Sequence, residues 1–179
     1  NNMDNIIKCI FNANDSNKKL NILEFGPCIT KSRDNLIKYS YNNKHNYYCI
    51  EAGPINCKID QYGQTLGEIQ EMKNLYNINL ELKNYNNLLQ DPIKYFNDYN
   101  LLKENFYDII FTRGSINTRQ IEGILKLSNI IGKDNSRCFF IPWLNEIDPN
   151  KTKEYYDNYI KNLNIPDNFK INNFDNSNK

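Results

Sequence analysis

A chain of 179 residues is long enough for one domain with a real core. Its net charge of +1 gives no field that would call for nucleic acid or an anionic membrane as a partner. About one residue in five is Asn, and Lys, Ile and Tyr are also heavy; that is the mark of A/T-rich coding, since the Asn residues interleave with strand and helix patterns instead of forming polar tracts.

The elements follow in chain order. Residues 4–12 carry Ile6, Ile7, Ile10 and Phe11 at helical spacing, and Asn14 to Lys19 is a polar loop. Leu20–Phe25 is the first strand. Ser32–Tyr41 reads as a helix with Leu36, Ile37 and Tyr41 on one face. Tyr47–Glu51 is a short strand ending in an acid, and Gly53–Thr65 is a long loop. Leu66–Tyr76 is helical, and Asn79–Lys83 alternates as a strand. Leu88–Lys103 is helical in at least two pieces, one opening at Asp91-Pro92. Tyr107–Thr112 is a strong strand, Arg119–Ile131 a helix stopped by Gly132, and Arg137–Pro142 another strong strand. Lys151–Leu163 is an amphipathic helix, and the polar end from Asp175 to Lys179 is frayed.

Five alternations of short apolar strand and helix predict an α/β fold, a doubly wound, mostly parallel Rossmann-like sheet with helices on both faces. Residues 1–179 are expected to form a single domain, with a core over 20–142 and a C-terminal helix and tail over 151–179. In such a sheet the loops after successive strands meet at one edge. The loops after Phe25, Glu51, Lys83 and Thr112 are therefore expected to converge, with Gly53–Thr65 and Asn145–Lys151 covering the substrate side.

Chemistry gathers at those positions. Glu24-Phe25-Gly26-Pro27-Cys28-Ile29-Thr30 is an acid followed by a glycine and then small residues. Gly26 permits a sharp turn, and small side chains let a ligand lie close to the main chain. Glu51, ahead of Ala52, ends the second strand, where an acid can accept both hydroxyls of a ribose. Asn84 and Tyr85 end the third strand, where an amide and a ring can grip a base. Thr112 and Arg113 end the fourth.

In this order the motifs resemble those of the class I S-adenosylmethionine-dependent methyltransferases. LEFGPCIT is similar to that family's first motif, with Glu24 at its acid, Gly26 at its first glycine, Cys28 at the second and Thr30 at the third. The resemblance implies that Glu51 in YYCIEAGP binds the ribose and that Asn84 and Tyr85 contact the adenine. YDIIFTRGS resembles the fourth-strand motif, with Asp108 near its start. It further implies S-adenosyl-L-methionine as cofactor, S-adenosyl-L-homocysteine as product and an unspecified small-molecule or macromolecular substrate. The family usually closes its sheet with an antiparallel strand pair; Phe169–Phe174 offers one such strand and no second is obvious, so part of that hairpin is expected to be lacking.

Other constellations are missing from the sequence. There is no GxxxxGK[ST] phosphate loop, and Cys28 breaks the G-x-G-x-x-G of a dinucleotide-dependent oxidoreductase. Cys9, Cys28, Cys49, Cys57 and Cys138 show no CxxC and no Cys/His cluster, which speaks against zinc or a disulfide framework and fits reduced thiols in the cytoplasm. No stretch approaches the roughly 20 apolar residues of a membrane span, and no signal peptide is visible. The chain opens Asn1-Asn2-Met3, as a trimmed piece or a part of a longer protein would. His45, the single histidine, falls before the second strand, at the wrong edge for a catalytic base, and reads as a solvated loop residue. Two functions stay open: a methyltransferase, or a catalytically inactive binding or scaffolding subunit of the same fold, acting with a partner subunit.

Overall fold

The computed structural model describes residues 10–32, 34–54, 58–113, 118–140 and 161–170, together with residues 7, 154 and 158. Five strands, β1 (Asn21–Phe25), β2 (Asn46–Glu51), β3 (Asn79–Leu82), β4 (Tyr107–Thr112) and β5 (Gly132–Phe140), form one sheet in the order β3-β2-β1-β4-β5. All neighbouring pairs are parallel. Five helices connect them: α1 (Asn35–Asn42), α2 (Leu66–Tyr76), α3 (Asn86–Gln90), α4 (Pro92–Tyr95) and α5 (Thr118–Ile131). This is an α/β doubly wound layout of Rossmann-like form.

A parallel sheet covered on both faces needs strands that are apolar on both sides. In β1, Ile22 packs into one core with Ile10, Leu36, Ile37, Ile69 and Met72, on the side of α1 and α2. Leu23 and Phe25 pack into the other, with Leu88, Leu89, Ile124 and Leu127, on the side of α3 and α5. On that second face α5 lies directly on α3, because a Cβ at Gly123 would stand 1.7 Å from the Leu89 carbonyl oxygen.

Caps set the helix bounds. Asp34 accepts a 3.0 Å hydrogen bond from Ile37 N–H, so α1 starts at Asn35, three residues later than periodicity predicts. Thr65 caps α2 through Glu68 N–H, and Asn77, with φ at +51°, caps its end after Tyr76. Pro92 and the Asp91 cap split α3 from α4, as expected. The fifth strand departs most from expectation. It begins at Gly132, directly after α5, and between the pairs Tyr107–Gly132 and Ile109–Arg137 two steps on β4 span five on β5. Of the predicted N-terminal helix, residues 7 and 10 are helical and 11 and 12 are not; of the C-terminal one, residues 154, 158 and 161 are helical, and 162 and 163 lie in a turn and a bend. Residues 171–174 of the predicted Phe169–Phe174 strand and the Asn145–Lys151 cover lie outside the described residues.

The strand order reverses between β1 and β4. In such sheets ligands bind outside the carboxyl ends of the strands at that reversal. The loops after β1, β2, β3 and β4 therefore share one edge.

Candidate functional site

The loop after β1 turns sharply. Gly26 has φ at +62° and donates its N–H to the Ile50 carbonyl at 2.9 Å. Cys28 is also left-handed, with φ at +57°. The Cys28 N–H meets Glu51 Oε2 at 2.8 Å, and Gly53 N–H meets Glu51 Oε1 at 3.0 Å. Glu51 thus ties the end of β2 to the first loop, and it is buried. The next amides are also taken by side chains. Ile29 N–H meets Gln64 Oε1 at 2.6 Å, and Lys31 N–H meets Glu68 Oε1 at 2.6 Å. Gln64 is held from its other end, Nε2 donating to Asp60 Oδ2 at 2.7 Å.

Beneath this loop lies a buried ionic cluster. Glu24, wholly buried, receives Arg113 Nε at 2.6 Å on Oε2 and Nη2 at 3.0 Å on Oε1. The Tyr47 hydroxyl donates to the same carboxylate. Arg113 Nη2 also stands 3.5 Å from Asp34 Oδ1. The cluster joins the ends of β1 and β4 to the cap of α1. Burial pushes the Glu24 carboxyl up from its ordinary value, and Arg113 offsets only part of that. The same balance raises Asp34. Burial alone would lower Arg113, but the two carboxylates outweigh it and hold the guanidinium charged. Thr112 is buried and donates its hydroxyl to the Phe25 carbonyl at 3.3 Å.

Tyr85 comes from the end of β3 and reaches across to the first loop. A Cβ at Gly26 would stand 2.1 Å from the Tyr85 hydroxyl oxygen. Its ring packs edge-on against Phe25, with centroids 5.6 Å apart, and burial raises the phenol well above its usual range. Asn84 is exposed, and its Oδ1 accepts from Asn86 N–H at 2.9 Å, the local turn into α3. Ala52 is half-buried and Pro27 buried. Thr30 is buried, and its Oγ1 is the one buried side-chain N or O atom among the described residues without a hydrogen-bond partner.

Of the residues singled out from sequence, Glu24, Gly26, Cys28, Glu51, Tyr85, Thr112 and Arg113 therefore meet at one edge, in contact with one another or with the first loop, whereas among the described residues Asn84 bonds only to Asn86 and Tyr99. Asp34, Asp60, Gln64 and Glu68 were not foreseen. The one available signal was a polar Gln-Thr step directly before a helix, which reads equally well as an ordinary cap.

Two further residues bear on the chemistry. Asp108 serves the opposite edge, accepting Asn21 N–H at 2.8 Å and facing Lys133 Nζ at 3.3 Å. His45 is at that edge too, but it is not the solvated loop residue the sequence suggested. It is buried, its Nδ1 accepts Leu20 N–H at 3.1 Å, and its ring stacks on Phe11 with centroids 5.2 Å apart. Phe11 lies far from His45 in the chain and covers it from the N-terminal segment. Among the described residues no His, Cys, Asp and Glu group could hold a metal ion, and no helix is long and apolar enough to cross a membrane. Burial drives the Cys49 thiol well up and Cys138 up to about 11, so neither is a ready nucleophile. Compared with known proteins, the chain matches no family model, no curated protein and no solved structure.

Proposed function

We propose that the protein is an S-adenosylmethionine-dependent methyltransferase that holds its cofactor outside the carboxyl ends of β1 and β2. The observation that carries this reading is the Glu51 carboxylate, seated at the end of β2 with Oε2 2.8 Å from the Cys28 amide of the left-handed glycine loop. A carboxylate offers about four lone-pair positions. Two are used by the Cys28 and Gly53 amides, and Gln64 Nε2 makes a longer contact of 3.4 Å. Acceptor capacity therefore remains for ribose hydroxyls. The buried, unpartnered Thr30 hydroxyl in the same loop supplies a further donor and acceptor. Entry of an adenosyl group beside Gly26 requires the Tyr85 ring to swing away from the loop.

The cofactor would supply an electrophilic methyl group on a sulfonium. The chain's own part is to hold and orient. Glu24 is paired with Arg113 through both carboxylate oxygens, and it serves to fix the first loop against β4. Methyl transfer can run on proximity and alignment alone.

The test is calorimetry and thermal shift with S-adenosylhomocysteine at millimolar concentration. Binding to the folded state raises the melting temperature by linkage. Absence of both heat and shift would refute the reading. One observation favours the second reading, an inactive binding or scaffolding subunit: the Tyr85 hydroxyl stands where a side chain or ligand on Gly26 would go, so the site is closed by the chain itself. In that case the same titration stays silent.

A further inference from the structure

We propose that Gln64 and Glu68 are specificity-determining residues that close the loop after β1 to phosphate, so that this edge takes a phosphate-free ligand, neutral or cationic. A glycine loop leading from a strand to a helix ordinarily offers its amides to a phosphate. Here three of those amides are already spent. Cys28, Ile29 and Lys31 N–H go to Glu51, Gln64 and Glu68, at 2.8, 2.6 and 2.6 Å. Gln64 is almost wholly buried, and Asp60 grips its amide nitrogen, which turns its oxygen toward Ile29. Glu68 sits in the first turn of α2 with its own N–H on Thr65, so its carboxylate is presented from a fixed helix end.

A phosphate entering the loop would have to displace two carboxylates and an amide, and would then lie among like charges. Among the described residues the nearby cations are engaged: Arg113 is bound to Glu24, Lys31 Nζ pairs with Glu71 at 2.7 Å, and Lys38 Nζ donates to the Lys31 carbonyl at 3.4 Å. The class of ligand rests on the adenosyl reading above; the gate itself is tested without it.

The probe is inorganic pyrophosphate, titrated to millimolar concentration against the full chain while backbone amides are followed by nitrogen-15 NMR. In the natural sequence the amides of Cys28, Ile29 and Lys31 stay in place. In Gln64→Ala/Glu68→Ala the amides of Ile29 and Lys31 shift, and pyrophosphate binds about tenfold tighter or better. Loop amides that move in the natural sequence, or Ile29 and Lys31 amides that stay still in the folded double variant, overturn the proposal. Should the double variant lose its fold, Glu68→Gln decides. It keeps an acceptor for Lys31 but no charge, so pyrophosphate binds it tighter than it binds the natural sequence; a folded Glu68→Gln that binds pyrophosphate no tighter overturns the proposal. If S-adenosylhomocysteine fails to bind while these results hold, the adenosyl reading falls and the gate stands.

Discussion

Gly26→Ala tests whether Tyr85 lies on the first loop. Two costs are separable. Gly26 has φ at +62°, where an L side chain is strained by about 1–2 kcal/mol. The new Cβ would also stand 2.1 Å from the Tyr85 hydroxyl oxygen and 3.2 Å from the ring carbon that bears it. Relieving that overlap means moving the ring off Phe25, an overpacking cost of about 1–3 kcal/mol. The sum is centred on about 3.5 kcal/mol, which in a chain of this size lowers the melting temperature by roughly 7–14 °C. Tyr85→Phe removes the hydroxyl and leaves the nearest ring atom at a distance that a small shift accommodates. In that background Gly26→Ala should cost only the backbone part, about 1–2 kcal/mol. Urea unfolding of the four proteins gives the coupling directly. An equal cost of Gly26→Ala in both backgrounds would refute the placement of Tyr85, and with it the view that the site is closed by its own side chain.

Three more outcomes follow from the same geometry. Glu51→Ala should weaken S-adenosylhomocysteine by about 1.5–3 kcal/mol in calorimetry, the range for a charge-assisted hydrogen bond. It should also cost about 1–3 kcal/mol of stability in urea, because it strands the Cys28 and Gly53 amides; a variant as stable as its parent would contradict those bonds. Cys28→Gly should leave stability unchanged or raise it by up to about 1 kcal/mol, since Cys28 has φ at +57° and glycine relieves that strain; a clear drop in melting temperature would instead mean a cavity under the loop. His45 should make stability fall with acid. Its folded pKa is pushed below the ordinary 6.5, chiefly by burial, with Asp15 and Asp108 offsetting part of the shift. The unfolded chain then takes the proton first, so the contribution is whole above 6.5 and is lost as pH falls from there toward the folded value. The urea midpoint should drop between about pH 7.5 and about pH 5.5, and His45→Gln should remove much of that slope.

Much of the scaffold is legible because its signals are local. β4 is bounded as its apolar run reads, and α2 spans the residues its periodicity marks, with Thr65 and Asn77 capping it. β5 starts at Gly132, five residues before the expected Arg137, because Lys133 to Ser136 is polar and carries no strand signal. The strand accommodates that stretch by letting five of its steps face two on β4, with Asn135 at φ +66°. The topology also told which loops meet, since a doubly wound sheet leaves no other place for them. What fills the space between those loops was not legible, and the reason is the same in each instance. Arg113 and Glu24 are 89 residues apart, Gln64 and Ile29 are 35, and Glu68 and Lys31 are 37. Such pairs leave no periodicity and no spacing rule in a single chain; Gln64 or Glu68 alone reads as a solvated polar residue. His45 shows the reverse error, a histidine judged exposed because its stacking partner comes from a distant segment. The site's positions thus follow from the backbone order, whereas its charge balance and its closure depend on long-range partners. That division matters for function, because a strand-loop-helix pattern with Gly26 and Glu51 is common to phosphate-binding and phosphate-free sites. The distant partners Gln64 and Glu68 are what separate the two here, by spending the amides that a phosphate would need.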